Sequence, residues 1–414
     1  MATSLITNIK QLVNVREQWP VLRGKELADL PCIHNAFLLI EDDTIVSYGT
    51  MEELAKTNRA LPAETIDATG KMVLPTWCDS HTHLVFAASR ESEFIDKLKG
   101  LSYAEIAARG GGILNSARKL NEATEEELFN LAWGRLEELI QLGTGAIEIK
   151  SGYGLTVEGE LKMLRVIKKL RGRSTVTIKA TFLGAHTYPM EYKEDHSGYI
   201  DLIIQQMLPV IAREQLADYI DVFCETGFFS PEETALICKA GMQYGLKPKI
   251  HANQLNLSGG VQTGIALGAV SVDHLETMDE PAINALAGSS TIGTLLPTAA
   301  FFLRMPFQPA RALIDAGCAI ALASDFNPGS SPSGNMNGVV NMSCIQMKML
   351  PEEAINAATL NGAWAMECAD KLGSISVGKK ASLILTKPVP SLAYIPYSFG
   401  SNLIEKVMIG GQWQ

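Results

Sequence analysis

Apolar and polar positions follow two different rhythms along this chain. From residue 72 to about 370, short runs rich in β-branched residues alternate with longer stretches in which apolar positions recur at helical spacing. Candidate strands end near His81, Lys150, His186, Glu225, His251, His274, Pro297 and Asp325, and the intervals between them are long enough for a returning helix. Such strand–helix units in series predict an α/β fold, a closed parallel (β/α)8 TIM-like barrel, rather than an open doubly wound sheet. No G-x-G-x-x-G follows a first strand. Thr124 with Glu127, and Ser230 with Glu233, read as capping boxes, the second with Pro231 at the first helical position.

The two ends have a different texture. Cys32 to Gly49 reads as strand, turn, strand, and Gly373 to Leu385 and Lys406 to Gly411 read as short strands with glycine turns. Residues 1–71 and 371–414 are therefore expected to fold together as a small β-sandwich flanking a barrel of residues 72–370. Internal repeats and low-complexity segments are not evident.

At 414 residues and 47% hydrophobic content the chain can bury a large core. A net charge of −10 with no basic stripe argues against a nucleic-acid partner. Lys97-Leu98-Lys99 and Lys168 to Arg173 read as solvated helix faces or ends. No apolar stretch reaches the roughly eighteen residues that span a bilayer, and the N-terminus lacks a signal-peptide core. No membrane association is expected. Seven cysteines without C-x-x-C spacing fit reduced thiols in a cytoplasmic enzyme. Cys78 and Cys224 near strand ends read as small buried hydrophobes.

Chemistry concentrates where the strands run out. In Asp79-Ser80-His81-Thr82-His83 a strand period of two puts His81 and His83 on one face, close enough to grip one metal ion. His186, His251, His274 and Asp325 each close a further apolar run, and the C-terminal face of a barrel is where such groups converge.

These motifs resemble a known family. Asp79-Ser80-His81-Thr82-His83, the strand-end His251 and His274, and Ala323-Ser324-Asp325 are similar to the amidohydrolase superfamily. Phe86-Ala87-Ala88-Ser89-Arg90, Lys150 to Leu155, Thr181 to His186, Asp221 to Glu225 and Ser324 to Ser330 resemble the imidazolonepropionases of histidine degradation. The resemblance spans the barrel and, through Gly373 to Leu385, the flanking β-domain. It implies a metal-dependent cyclic amide hydrolase that converts 4-imidazolone-5-propanoate to N-formimidoyl-L-glutamate with bound zinc or iron, and a homodimer.

On that reading His81, His83, His251 and Asp325 hold one metal and leave a position for water, whose pKa falls to about 7 in such a site. The hydroxide attacks the ring carbonyl, with Asp325 as general base and then acid. His274 is expected to hydrogen-bond the hydroxide or the polarised carbonyl, with a fourth imidazole ligand as the alternative. Binuclear relatives carry a lysine on the fourth strand, and Tyr219 to Glu225 has none, which favours a single ion. Lys150 reads as an ion-pair partner of Glu148 or Glu225.

Arg90 can grip the propanoate as a bidentate guanidinium, although on its own it would read as a surface ion pair. Tyr153 can lend a phenol, with Tyr103 as a weaker addition. His186 is placed to bond the ring carbonyl or nitrogen, and Asn327, Gly329 and Ser330 are expected at the substrate or product. Gln254 stands where deaminases of the superfamily carry a glutamate for proton transfer, so it can orient a ring but cannot do acid–base work. Two other readings are an aminohydrolase acting on a heterocyclic ring and a non-catalytic scaffold. Gln254 with Arg90 and Tyr153 argues against the first, the complete ligand set against the second.

Overall fold

The computed structural model describes residues 3–57, 62–101, 105 and 111–414. Eight parallel strands run in sequence order around the barrel. They are β6 (Trp77–Thr82), β7 (Thr144–Lys150), β8 (Thr177–Ala185), β9 (Tyr219–Cys224), β10 (Lys247–Ala252), β11 (Ser271–His274), β12 (Ile292–Leu295) and β13 (Ile320–Leu322). All eight fall on the runs expected from the sequence. The circle closes just beyond β13, where the Asp325 N–H donates to the His81 carbonyl (3.0 Å) and the His83 N–H to the Phe326 carbonyl (2.8 Å). Closure matters because an open edge would leave these backbone groups unpaired.

Helices return the chain on the outside. Glu125–Gln141 and Pro231–Gln243 begin with the capping boxes of Thr124 and Ser230. Val157–Arg173 begins at Thr156, whose hydroxyl accepts from the Gly159 N–H. Their apolar faces pack on the strands in one continuous core that includes Leu128, Leu136, Leu164, Ile167 and Ile237. No helix among the described residues is long and apolar enough to cross a membrane.

The chain ends meet in a mixed sheet. Strands β1 (Thr3–Val13), β2 (Cys32–Glu41), β3 (Thr44–Thr50), β4 (Glu64–Asp67) and β5 (Met72–Pro75) join β14 (Leu383–Thr386), β15 (Ile404–Ile409) and β16 (Gln412–Trp413). The order is β16-β15-β14-β5-β1-β2-β3, with β4 also pairing β1. Ile6, Ile9, Leu38, Ile40, Leu383 and Met408 form its own core. Met72–Pro75, grouped with the barrel on sequence, pairs with β1 and β14, so the chain passes between the two sheets at Thr76. At that junction Gly143 adopts φ +95°, and a Cβ there would meet Ile384 Cδ1 at 2.7 Å, so only glycine fits.

Asn361 ties the N-terminal segment to the barrel wall. Fully buried, it accepts from the Leu22 N–H (2.9 Å) and donates to the carbonyls of Leu22 (2.9 Å) and Ile320 (2.8 Å). Asn361→Ala strands these groups and is expected to cost about 2–4 kcal/mol. A thermal melt reads this, and an unchanged midpoint would show that the segment is held by its other contacts.

Candidate active site and metal cluster

The strand ends bring five potential ligands together. The donor atoms of His81, His251 and His274 lie within 4.8 Å of one another, and so do those of His81, His83 and Asp325. The set expected for a single ion, His81, His83, His251 and Asp325, thus spans two triads that share His81, with His274 as a fifth donor in reach. All five side chains are buried.

Two of the imidazoles are prepared for a cation. His81 Nδ1 lies 2.7 Å from Asp273 Oδ2, and His251 Nδ1 lies 2.9 Å from Asp221 Oδ2. A carboxylate can only accept, so the proton sits on Nδ1 and the lone pair on Nε2. The Nε2 atoms of His81 and His251 are buried and have no protein partner, and an orphaned lone pair of this kind fits a metal ligand. Burial, then Lys150 and the neighbouring imidazoles, hold the His81 pKa well below the ordinary value, and burial does the same for His83 and His251. Neutral imidazoles beside a carboxylate suit one ion of zinc or iron type.

Asp325 sits at the barrel seam with its backbone at φ +53°. Its Oδ1 lies 3.5 Å from His81 Nε2 and 3.6 Å from His83 Nε2. Burial pushes its carboxyl up to about 7, against the opposing pull of His274. The preceding residue is pinned across the seam, because the Ser324 N–H (2.9 Å) and hydroxyl (2.5 Å) both donate to buried Asp79. His274 adopts φ +87°, which breaks strand alternation and lets Asp273 and His274 face the interior in succession. Its Nδ1 lies 3.4 Å from Glu276 Oε1. Burial pulls its pKa down, but Glu276, with Asp325 and Asp273, leaves it raised above the ordinary value.

Beneath the cluster is a sealed ionic layer. The Lys150 ammonium donates to Glu148 (2.6 Å) and Asp221 (2.8 Å) and lies 3.4 Å from Asp273. Lys249 pairs with Glu148, and none of these five side chains is exposed. Burial opposes the charge on Lys150, yet Asp221, Glu148 and Asp273 together raise its pKa above the ordinary value. Of the two partners expected for Lys150, the structure selects Glu148. Glu225 instead accepts from the Thr226 (2.8 Å), Leu255 (2.9 Å) and Asn256 (3.2 Å) N–H groups and so shapes the loop carrying Gln254. The strand spacing held this signal: Glu148, Lys249 and Asp79 each stand two residues before a strand-end group and share its face.

Above the cluster opens a cavity of about 420 Å³, lined by His83, Arg90, Tyr153, His186, Gln254, His274, Asp325, Asn327, Gly329 and Ser330 among others. Tyr103 lies outside the described residues. The Nε–Nη2 edge of Arg90 is taken by Glu93 Oε2 (2.8 and 2.5 Å), leaving the Nη1 end toward Gly329. A Cβ at Gly329 would collide with that guanidinium. The Asn327 amide folds its own loop, donating to the Asp325 carbonyl (2.6 Å) and Ser330 hydroxyl (2.8 Å) and accepting from the Gly329 (2.8 Å) and Ser330 (2.7 Å) N–H groups. His186 Nδ1 lies 2.9 Å from the Gly152 carbonyl, an acceptor that places the proton on Nδ1. Burial lowers the His186 pKa to about 4 and pushes the Tyr153 phenol up, so both are neutral.

Comparison with known proteins agrees with this geometry. An amidohydrolase family model matches residues 229–414. The chain is 59% identical over 411 residues to an imidazolonepropionase of Flavobacterium johnsoniae, covering 99% of both chains. It is 55% identical over 412 residues to one of Christiangramia forsetii, again with 99% of both covered. The chain belongs to the imidazolonepropionase family. Guanine deaminase of E. coli shares the fold, with a TM-score of 0.75 at 14% identity over 100% of this chain and 99% of that one.

The loop that presents Tyr153 hangs on one acid that sequence reasoning missed. Buried Glu160 accepts from the N–H groups of Gly152 (3.0 Å), Gly154 (2.7 Å) and Leu155 (3.0 Å). Glu160→Gln replaces an acceptor oxygen with a donor facing those N–H groups. Amide hydrogen exchange at Gly152, Gly154 and Leu155 is expected to accelerate by about tenfold or more, as the loss of about 1.4 kcal/mol or more of local stability requires. Unchanged protection would show that the loop is held elsewhere.

Proposed function

We propose that this enzyme hydrolyses the ring amide of 4-imidazolone-5-propanoate to give N-formimidoyl-L-glutamate in histidine catabolism. One observation carries the reading: a His/Asp cluster with inward lone pairs shares a cavity with the open end of a half-buried arginine. A zinc or iron ion held by His81, His83, His251 and Asp325 would polarise the ring carbonyl and make water nucleophilic near neutral pH.

The side chains divide the remaining work. Asp325 takes the proton of the attacking water and returns it to the departing ring nitrogen. His274, held at Nδ1 by Glu276, hydrogen-bonds the attacking water or the carbonyl oxygen. His186 has spent its proton on Gly152 and so offers Nε2 as an acceptor to a ring N–H. The propanoate lies on the Nη1–Nη2 end of Arg90, with the neutral Tyr153 phenol as a second donor. Gln254 orients the ring through its amide, while Asn327, Gly329 and Ser330 wall the cavity and offer polar groups to substrate and product. Family resemblance further implies a cytoplasmic homodimer.

Arg90→Met is expected to raise KM about thirtyfold, the equivalent of about 2 kcal/mol, with metal content intact. Steady-state kinetics on the propanoate substrate and metal analysis decide this. Wild-type KM would move the carboxylate subsite elsewhere.

Position 254 and Asp325 test proton transfer from opposite sides. Asp325→Asn retains an oxygen but cannot accept the water proton, so turnover should fall by about three orders of magnitude or more in the metal-loaded protein. Gln254→Glu should not confer deamination of heterocyclic amines. Substantial hydrolysis by metal-loaded Asp325→Asn would transfer the base role to another residue, with His274 the next to examine.

A further inference from the structure

Lys150 lies one layer below the cavity, fully buried, and takes no part in the chemistry assigned above. Its contacts have an unusual economy. Asp221 Oδ2 is 2.8 Å from Lys150 Nζ and 2.9 Å from His251 Nδ1. Asp273 Oδ2 is 3.4 Å from Lys150 Nζ and 2.7 Å from His81 Nδ1. In both carboxylates the oxygen that faces the lysine is the same oxygen that faces the histidine. The other oxygens are fixed separately, Asp221 Oδ1 by the His251 N–H (3.0 Å) and Asp273 Oδ1 by the Ser271 hydroxyl (2.6 Å).

We propose that Lys150 is the positioning residue of the metal cluster: one ammonium locks two carboxylates, and each locks the Nδ1 edge of one imidazole, so that Nε2 of His81 and Nε2 of His251 point to a common place. The inference rests on the reading that His81 and His251 are ligands. Three strands contribute to the lock, β7 through Lys150, β9 through Asp221 and β11 through Asp273, while the ligands come from β6 and β10. The lysine thus couples the azimuth of two rings that have no direct bond to each other. Outer partners of this type change metal affinity by about 10–100-fold when removed. Glu148 provides the internal contrast. Its side chain binds the same ammonium at 2.6 Å, but its other side-chain partners are Lys249, which also reaches the Ser80 carbonyl, and the Thr181 hydroxyl, and neither holds the Nδ1 of an imidazole.

Zinc affinity, measured by competition with a chromogenic chelator, and the visible spectrum of the cobalt-substituted protein test this without reference to turnover. Lys150→Met is expected to weaken zinc binding about 10–100-fold and to alter the cobalt bands. Glu148→Gln should stay within about threefold of wild type. Asp221→Asn and Asp273→Asn place an amide between lysine and imidazole and should each weaken binding by more than about tenfold, an arm that holds even if Lys150→Met does not fold. Wild-type zinc affinity in folded Lys150→Met or in both asparagine variants would overturn the proposal, as would a Glu148→Gln defect as large as theirs. His81→Ala and His251→Ala serve as the control on the ligand reading: if zinc binding survives both, that reading fails, whatever Lys150 does.

Discussion

Charge sealed from water constrains this molecule more tightly than any other feature. Glu148, Lys150, Asp221, Lys249 and Asp273 have no exposed side-chain surface, and an ion left unpaired there would cost several kcal/mol. The layer is tolerable only if every strand holds its register. Lys249 pairs across to Asp221 on one side and to Ser271 on the other. A slip of one residue in β10 would turn both Lys249 and His251 outward, removing an imidazole from the cluster and orphaning the acids together. The requirement that builds the barrel interior is therefore the requirement that aims the imidazoles.

Some of the backbone strain lies where this layer meets the cavity. Asn253, His274, Leu275 and Asp325 all hold positive φ without being glycine, at a cost of about 1–3 kcal/mol each. Each lies at or just past the end of a barrel strand, and His274 and Asp325 turn their side chains into the site. At Asp325 the opposing forces are plain: Ser324 is clamped to Asp79, and the Asp325 N–H is bonded to His81 across the seam. Closing the barrel and delivering the carboxylate to two imidazoles are one event.

The barrel and the strands that carry the His/Asp cluster were legible because their signals are local. Apolar runs that end on His81, His251, His274 and Asp325 state both the strand and its functional tip. The lower layer was harder to read. Lys150 appeared as half of an ion pair, and nothing in its neighbourhood announces that Asp221 and Asp273, some seventy and one hundred and twenty residues away, share it. Glu160 and Glu93 hide for a second reason: a carboxylate near a helix start resembles an ordinary first-turn acid. Their burial, and the loop amides and guanidinium they serve, emerge only in three dimensions. The assignment of Met72–Pro75 turned on partners at the far end of the chain, β14 among them.

Charge also explains why glutamine suits position 254. The cavity faces Asp325, and the substrate proposed for it brings a carboxylate of its own. Glu93 neutralises one edge of Arg90 and holds the other end toward the cavity, so the arginine is oriented before a ligand arrives. A second acid at position 254 would line the same cavity as Asp325 and compete for the same cations. It would be useful only if ring protonation required a carboxyl there. An amide offers a donor and an acceptor without adding charge. On the proposed reading, in which the substrate supplies the anion, a neutral residue at 254 would keep Arg90 for the propanoate and leave proton transfer to Asp325.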